Sequence, residues 1–307
     1  MLSREMTAEP LHAVTPESAL FESILELIRR TSTQLPDDIV RAVTSARKNE
    51  AEGSNADVAL NVIGCNIGLA RENSLPLCQD TGSILFYVHT PVGYDQLEFR
   101  DIATDAVRAA TKKGYLRQNS VDSITGKNTG DNTGPGAPVF HFQQWREPRV
   151  EVKLMLKGGG CENMNAQYSL PHPELGNRDL SGVENALLDC VLQAQGQGCG
   201  PGILGVCIGG DRATGYEHAQ EQLLRLLDDV NPDATLADLE RRVVDKANQS
   251  GIGPMGFGGN TTLLACKIGK LNRLPASFFV SIAYMCWAYR RRGAVLDTQG
   301  NVSKWLY

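Results

Sequence analysis

The chain has 307 residues, of which 42% are hydrophobic and 21% are charged, and its formal net charge is −5. This composition is that of an ordinary globular protein, with enough apolar residues to form a core without disulfide bonds. The weak negative charge argues against a dominant basic surface, and therefore against nucleic acid as a partner.

Residues 1–75 are predicted to form a helical lobe. Residues 1–10 lack the apolar segment of a secretory signal, so we expect a cytoplasmic protein. Apolar residues recur at helical spacing from Leu20 to Ile28, and further helices are expected to begin near Pro36 and Asn55. The expected apolar face of the third helix comprises Val58, Val62, Ile63 and Leu69. We assign these helices to a single domain that covers residues 1–307.

From Pro76 onward, short apolar segments alternate with glycine-rich turns, which predicts a mixed α/β fold with helices packed around β-sheets. Strands are expected over 82–90, 138–145, 149–157, 203–208, 262–268 and 278–285. Helices are expected over 97–113, 182–195 and 236–248, and from about residue 214. The longest mostly apolar run, 277–289, is too short to cross a bilayer, so no membrane association is expected.

Two segments near the end have ordinary surface interpretations. The basic triplet from Arg290 to Arg292 is expected to lie on a solvated surface. Residues 293–307 are short and polar, and their final residues, Trp305 to Tyr307, are expected either to fray or to dock on a partner.

Five glycine-rich segments are the most informative part of the sequence. Glycine permits tight turns in which successive backbone N–H groups converge on an anion, and these segments also contain Asn, Thr and Lys. None matches a Walker A loop or a dinucleotide-binding fingerprint, which argues against a nucleotide ligand. They predict a polar site that receives an anion. The segments are 76–82, 125–134, 157–163, 198–202 and 251–260.

The chain has eight cysteines and no C-x-x-C pair, which argues against a zinc ribbon. Cys78, Cys199 and Cys286 stand at or beside turns, and three thiolates suit a soft metal centre if they meet in space. Their spacing does not show that they meet, and cysteines of a reduced core are the ordinary alternative. Three ligands on a four-iron cluster would leave one iron open to substrate as a Lewis acid.

Several segments resemble, in the same order, the motifs of class I fumarases and L-tartrate dehydratase alpha subunits, from about residue 20 to residue 295. The resemblance implies an oxygen-sensitive iron–sulfur hydro-lyase. The matching segments are CQDTG at 78–82, KGGG at 157–160, GCGP at 198–201, GIG at 251–253 with FGG at 257–259, and CWA at 286–288 with two arginines after it.

The resemblance also implies the cofactor and its ligands. Cys78, Cys199 and Cys286 would bind a 4Fe–4S cluster in which one iron has no cysteine ligand. The remaining cysteines match no ligand position and are interpreted as structural. They are Cys65, Cys161, Cys190, Cys207 and Cys266.

The substrate contacts are implied in the same way. Gln79 and Asp80 would lie beside the open iron, with Asp80 either the catalytic base or a group that orients a ligand. Arg117 would grip a carboxylate, for which a planar guanidinium is suited. The backbone at Gly158 would donate to the substrate, with Lys157 nearby.

The implied reaction is the reversible hydration of a small dicarboxylate, with fumarate and (S)-malate as the expected pair and L-tartrate or mesaconate as alternatives. In the family, the proposed base lies in a swivelling C-terminal domain, so we expect a beta subunit that carries this domain and a hetero-oligomer. Leu274 stands where relatives commonly have a histidine, and Tyr289 stands where many have Asp or His. A non-catalytic iron–sulfur redox sensor and a zinc-binding module are the alternatives from other classes.

Overall fold

The structure is a computed structural model that describes residues 18–307. Residues 1–10, which are expected to lack a secretory signal, lie outside the described residues. The same is true of the first 17 residues of the predicted helical lobe. Within the described range, no helix combines the length and the apolar character needed to cross a membrane.

The predicted mixed α/β fold is confirmed. The α-helices are α1 Ala19–Thr33, α2 Asp37–Lys48, α3 Asn55–Asn73, α4 Gln96–Lys112, α5 Gly159–Asn163, α6 Leu180–Ala194, α7 Arg212–Gln222 and α8 Ala234–Asn248. The strands are β1 Ser83–Pro91, β2 Val139–Trp145, β3 Val150–Lys157, β4 Ala166–Ser169, β5 Gly202–Ile208, β6 Leu263–Lys270, β7 Phe279–Met285, β8 Arg290–Leu296 and β9 Val302–Leu306. A short 3₁₀ turn covers Pro254–Gly256.

The strands form two mixed sheets, with the orders β2-β1-β3-β8-β9 and β4-β7-β5-β6. In the first sheet, β1 runs parallel to β2 and antiparallel to β3. The strands β2 and β3, which follow each other in the sequence, therefore lie on opposite sides of β1. In the second sheet, β5 runs parallel to β6 and antiparallel to β7.

Three apolar cores separate the layers. One lies between the five-stranded sheet and helices α1 and α4, and it contains the residues of β3 that alternate in the sequence, from Val150 to Leu156. A second lies between the two sheets and includes residues of α2, α3 and α7. The third lies between the four-stranded sheet and helices α6 and α8. The helices thus cover both outer faces of the sheet pair.

The predicted apolar face of α3 is largely wrong. Val58, Val62 and Leu69 are 54%, 61% and 58% exposed, and only Ile63 of the predicted set is buried. The buried stripe consists of Ala56, Leu60, Ile63, Ile67 and Ala70. Because α3 has apolar residues on two of its faces, helical spacing alone does not determine which face meets the core.

The basic triplet is also not a solvated surface. Its residues begin β8, an interior strand, and Arg290 and Arg291 are 1% and 0% exposed. Arg291 is neutralised by Asp38 at 2.6 Å, while Arg292 donates to two backbone carbonyls. Burial of an arginine is compatible with folding when such partners surround it.

The expected fraying of Trp305 to Tyr307 is wrong, while docking of these residues on a partner stays a prediction. The strand β9 pairs with β8, and the guanidinium of Arg30 lies 4.2 Å from the ring centre of Trp305. The hydroxyl of Tyr307 donates to the carbonyl of Leu224 at 2.5 Å. Residues 302–307 are therefore part of the folded structure.

Candidate active site

The glycine-rich segments with cysteines meet where the two sheets adjoin. In the first sheet, Ser83 at the start of β1 pairs with Lys157 at the end of β3, so the segments beyond these strand ends are neighbours. In the second sheet, Ile203 of β5 pairs in the same way with Met285 of β7. Residues 286–289 then cross from β7 to β8, and so from one sheet to the other. The topology therefore places four loops at one junction.

The three predicted cluster ligands lie on three of these loops. The Cys199 side chain is exposed, Cys78 is partly exposed and Cys286 is buried. The backbone N–H of Trp287 donates to the carbonyl of Cys199 at 3.4 Å, and the carbonyl of Gln197 lies 3.8 Å from the position of a Cβ on Gly160. The loop before β5 therefore contacts both the segment after β7 and the loop after β3. Desolvation by the surrounding protein and the charges of Cys161, Cys78 and Asp80 raise the pKa of Cys199.

The donor set suits an iron–sulfur cluster. Among residues 18–307, no three His, Cys, Asp or Glu side chains are grouped as ligands of a single metal ion. A 4Fe–4S cluster takes its protein ligands from separate irons, so the thiols that hold it need not converge on one point. Cys78, Cys199 and Cys286, each on its own converging loop, fit that arrangement.

Cys161 adds a fourth thiol to the junction that the sequence motifs did not indicate. It is buried in α5. Interaction with the Cys286 thiol lowers the pKa of Cys161 and, together with burial, raises the pKa of Cys286. Its place directly after the KGGG segment is the sequence signal that could have identified it.

Asp80 connects three parts of the junction. One carboxylate oxygen accepts from the backbone N–H of Gly82 at 2.8 Å and from the side-chain amide of Asn119 at 2.6 Å. The other accepts from the backbone N–H of Gly159 at 2.6 Å. Both oxygens are thus oriented by the protein, and Asn119 is a site residue that the motif analysis missed.

Gly158 and Lys157 differ in how they meet the site. A Cβ on Gly158 would lie 3.0 Å from the Asp80 carboxylate, so the absence of a side chain permits this close approach. The ammonium of Lys157 is buried and lies 2.8 Å from Glu162 and 3.0 Å from Asn165. Burial lowers the pKa of Lys157, although Glu162 opposes this shift. Its charge is therefore already compensated inside the protein.

Arg117 and Gln79 project from the junction. Both side chains are exposed. The peptide of Arg117 is fixed by Thr81, whose hydroxyl lies 2.7 Å from the Arg117 carbonyl and 2.9 Å from its N–H. In the described part of the chain, no carboxylate lies within ion-pair distance of the Arg117 guanidinium. An anion from solution can therefore bind it.

A cavity of about 230 Å³ adjoins the Asp80 contacts. Its lining combines the polar side chains of Asn119, Ser120 and Asn132 with apolar side chains such as Ile84 and Val139. Its volume suits a small ligand, which these few polar groups can orient.

The loop that contains Cys199 is shaped by Tyr284, which the sequence analysis also missed. A Cβ at either Gly198 or Gly202 would overlap the ring of this buried tyrosine. Cys199 itself has a φ of 54°, in the left-handed region. The two glycines therefore allow the loop to wrap around the ring and to present the Cys199 thiol.

The chain has relatives among known proteins. Residues 21–295 match the family model described as fumarate hydratase (Fumerase). A Geobacillus stearothermophilus protein, whose name describes it as a fumarate hydratase class I, is 52% identical over 293 residues, which cover 94% of this chain and 57% of that protein. The chain thus spans little more than half the length of this relative.

Two further relatives are covered almost completely. A Methanocaldococcus jannaschii protein named as an L(+)-tartrate dehydratase subunit alpha is 32% identical over 273 residues, which cover 87% of this chain and 94% of that protein. The L(+)-tartrate dehydratase subunit alpha of Escherichia coli K12 is 29% identical over 274 residues, with 89% of each chain covered.

Proposed function

The chain belongs to the fumarate hydratase (Fumerase) family, and we propose that it is the cluster-binding part of an iron–sulfur hydro-lyase that acts on a small dicarboxylate. Fumarate and (S)-malate are the proposed pair, since the 52% identical relative is named for that activity. L-Tartrate is the alternative, supported by the names of the relatives at 32% and 29% identity. A cytoplasmic location, where thiols stay reduced, is part of the proposal.

The observation that carries this proposal is the meeting of three cysteine-bearing loops with the KGGG segment around Asp80. In the proposed enzyme, Cys78, Cys199 and Cys286 hold a 4Fe–4S cluster and leave one iron without a cysteine ligand. When bound, the cluster supplies Lewis-acid activation of the substrate hydroxyl at that iron. The proposal also makes the enzyme oxygen-sensitive.

The protein groups around the cluster bind and orient the substrate. The exposed guanidinium of Arg117 takes one carboxylate in a bidentate contact. Gln79 and the backbone at Gly158 supply neutral polar contacts. The carboxylate of Asp80, fixed by its three donors, either accepts the proton from carbon or orients the substrate.

The second carboxylate of the substrate calls for a further cation, because a buried anion without a partner is unfavourable. Lys157 is engaged by Glu162, so it is not free for this role. We therefore include in the proposal a beta subunit that carries the swivelling domain and completes a hetero-oligomeric site. The subunit names of the two tartrate dehydratase relatives support a division of this kind.

A non-catalytic iron–sulfur protein is the second candidate, because Cys161 places a fourth thiol beside Cys286. Ligation by four cysteines would leave no iron open to substrate and would favour electron transfer or sensing. The two candidates differ in the fate of one iron, which is labile to air only when it lacks a cysteine ligand.

The test is anaerobic purification of the chain with and without a candidate partner subunit. We expect a brown protein that loses one iron in air, and hydro-lyase activity on a dicarboxylate panel only when the partner is present. Colourless protein with stoichiometric zinc would overturn the cluster assignment. Equal activity without the partner would overturn the two-subunit arrangement, and an air-stable cluster without activity would favour the second candidate.

A further inference from the structure

Arg290 differs from the other deeply buried cations of this protein. Four cationic side chains among residues 18–307 are almost wholly buried, and three of them are ion-paired with a carboxylate. These pairs are Lys157 with Glu162 at 2.8 Å, Lys267 with Asp229 at 2.6 Å and Arg291 with Asp38 at 2.6 Å. Arg290 is 1% exposed, and no carboxylate of the described residues lies within ion-pair distance of it.

The guanidinium of Arg290 lies directly behind the candidate site. One terminal nitrogen donates to the backbone carbonyl of Asp80 at 2.8 Å. The other lies 3.8 Å from the position that a Cβ on Gly158 would occupy. The Nε group is buried and has no hydrogen-bond partner among the described residues. The five donors of the guanidinium are therefore only partly satisfied.

An isolated buried cation is strongly unfavourable unless an anion or a set of acceptors compensates it. The guanidinium of Arg290 has one backbone carbonyl as its partner, while Arg291, the next residue of the same strand, is paired with the carboxylate of Asp38. The guanidinium meets the backbone of Asp80, two residues after Cys78, and Arg290 itself follows Cys286 by four residues. The Asp80 carboxylate, 3.0 Å from the same Gly158 Cβ position, is already held by three donors. The missing anion therefore belongs in the junction that contains these cysteines.

A cluster held by three thiolates provides that anion, because the thiolate charges exceed the positive charge of its common oxidised core. We propose that Arg290 is a positioning residue that acts as the internal counter-cation of the cluster and fixes the Asp80 peptide beside it. This inference rests on the proposed cluster. A nearby positive charge stabilises the more negative, reduced state of a cluster, so Arg290 raises its reduction potential.

The test uses the full chain, loaded anaerobically, with Arg290→Met, Arg290→Lys and the control Arg292→Met. Arg292 contacts the carbonyls of Leu35 and Tyr307 instead of the site. We expect Arg290→Met to make the reduction potential more negative and to speed the loss of iron to a chelator about tenfold or more. Arg290→Lys, which keeps the charge, and Arg292→Met should retain a potential close to that of the wild type.

Thermal unfolding separates this role from a purely structural one. In Arg290→Met, the loss of melting temperature should be larger in the loaded protein than in the apo protein, because the charge is compensated only when the cluster is bound. In Arg292→Met the two losses should be equal. If Arg290→Met takes up no cluster, uptake of the cluster by Arg290→Lys supports the proposal. If both variants fold as apo protein and neither takes up the cluster, the proposal is overturned.

The outcomes also separate this inference from the proposed function. A wild-type chain that takes up no cluster overturns the proposed function and this inference together. A loaded wild type with an unchanged reduction potential in Arg290→Met overturns the inference alone.

Discussion

The carboxylate of Asp80 and the backbone N–H of Gly159 are joined by a hydrogen bond of 2.6 Å, which links the segment before β1 to the loop after β3. The other carboxylate oxygen accepts from the backbone N–H of Gly82. Each oxygen therefore faces a backbone donor that has a fixed position. This arrangement makes the two oxygens of Asp80 equally intolerant of replacement by an amide nitrogen.

We expect Asp80→Asn to lose turnover and to destabilise the protein by about 1–3 kcal/mol, because either orientation of the amide places an NH₂ against a backbone N–H. Urea unfolding of the apo protein measures the second effect. Glu174→Gln, at an exposed carboxylate without a side-chain hydrogen bond among the described residues, is the control and should leave stability unchanged. Wild-type stability in Asp80→Asn would contradict the observed contacts.

Substitution of the candidate ligands tests the cluster directly. Cys78→Ser, Cys199→Ser and Cys286→Ser should each abolish the cluster, because serine oxygen is a poor ligand for this soft centre. Cys190→Ser and Cys207→Ser should retain it, since both thiols are buried and burial raises the pKa of each to about 12. Iron content and visible absorbance of anaerobic protein provide the measurement.

Two results of that series decide the ligand set. A full cluster in Cys199→Ser would refute the assignment of three ligands. Loss of the cluster in Cys161→Ser would identify a fourth thiol ligand and favour the non-catalytic candidate.

Arg117→Lys should leave the cluster intact and impair turnover by about tenfold or more, since a bidentate charged contact becomes a single-point contact. Steady-state kinetics with the partner present, alongside iron content, gives the comparison. Arg108→Lys is a suitable control, because Arg108 pairs with Asp105 on the exposed face of α4. Unchanged kinetics in Arg117→Lys would show that other groups hold the carboxylate.

The buried pair of Asp38 and Arg291 predicts a pH-dependent stability. Burial tends to raise the pKa of Asp38, but hydrogen bonds and the charge of Arg291 hold it below its ordinary value of 3.8. A depressed pKa contributes stability that is complete above the unfolded value and is lost as the pH falls through the folded value. The contribution should therefore be constant near neutrality and disappear below pH 3.8.

Asp38→Asn removes this contribution, so at pH 7 it should destabilise the protein by about 3–5 kcal/mol. The difference from wild type should narrow as the pH is lowered to about 3, because the variant has no titrating group at this position. Denaturant unfolding across that pH range measures the difference in free energy of unfolding between Asp38→Asn and the wild type. Asp228→Asn, at the exposed pair with Arg41, should show little effect at any pH.

Replacement of either of two glycines by alanine should change the stability of the protein, in opposite directions at the two positions. Gly198→Ala should destabilise the protein by about 1–3 kcal/mol and weaken cluster binding, because its Cβ would overlap the buried ring of Tyr284. Gly64→Ala should stabilise it by about 0.5–1 kcal/mol, since Gly64 lies within α3 with no atom within 4 Å of an added Cβ. Melting temperatures of both variants test the pair, and equal shifts would contradict the packing described.

Local patterns were sufficient to predict most of the regular structure. The expected helix over 236–248 is α8, which runs from Ala234 to Asn248 and is capped by Asp233. The strand over 149–157 is β3, whose alternating apolar residues all face one core. The strand β8 was missed because its arginines resemble a surface segment until Asp38, more than 250 residues away, supplies a buried partner.

In the site, too, local patterns predicted some residues, while others depend on contacts between distant parts of the chain. The cysteines and the glycine-rich loops were evident in the sequence because their residue types and order resemble known motifs. Asn119 and Tyr284 were not, because their roles arise only when the folded chain places them beside Asp80 and the Cys199 loop. Whether the predicted residues act in catalysis stays a prediction that the variants above address.

The crossing of residues 286–289 from one sheet to the other has a consequence for the order of assembly. Cys286 lies in that crossing, Cys78 precedes the first sheet and Cys199 precedes a strand of the second. A complete set of thiols therefore exists only after both sheets have formed and docked. Under the proposed function, the uptake of iron and sulfide is a late event in maturation, because a half-folded chain presents only part of the proposed ligand set.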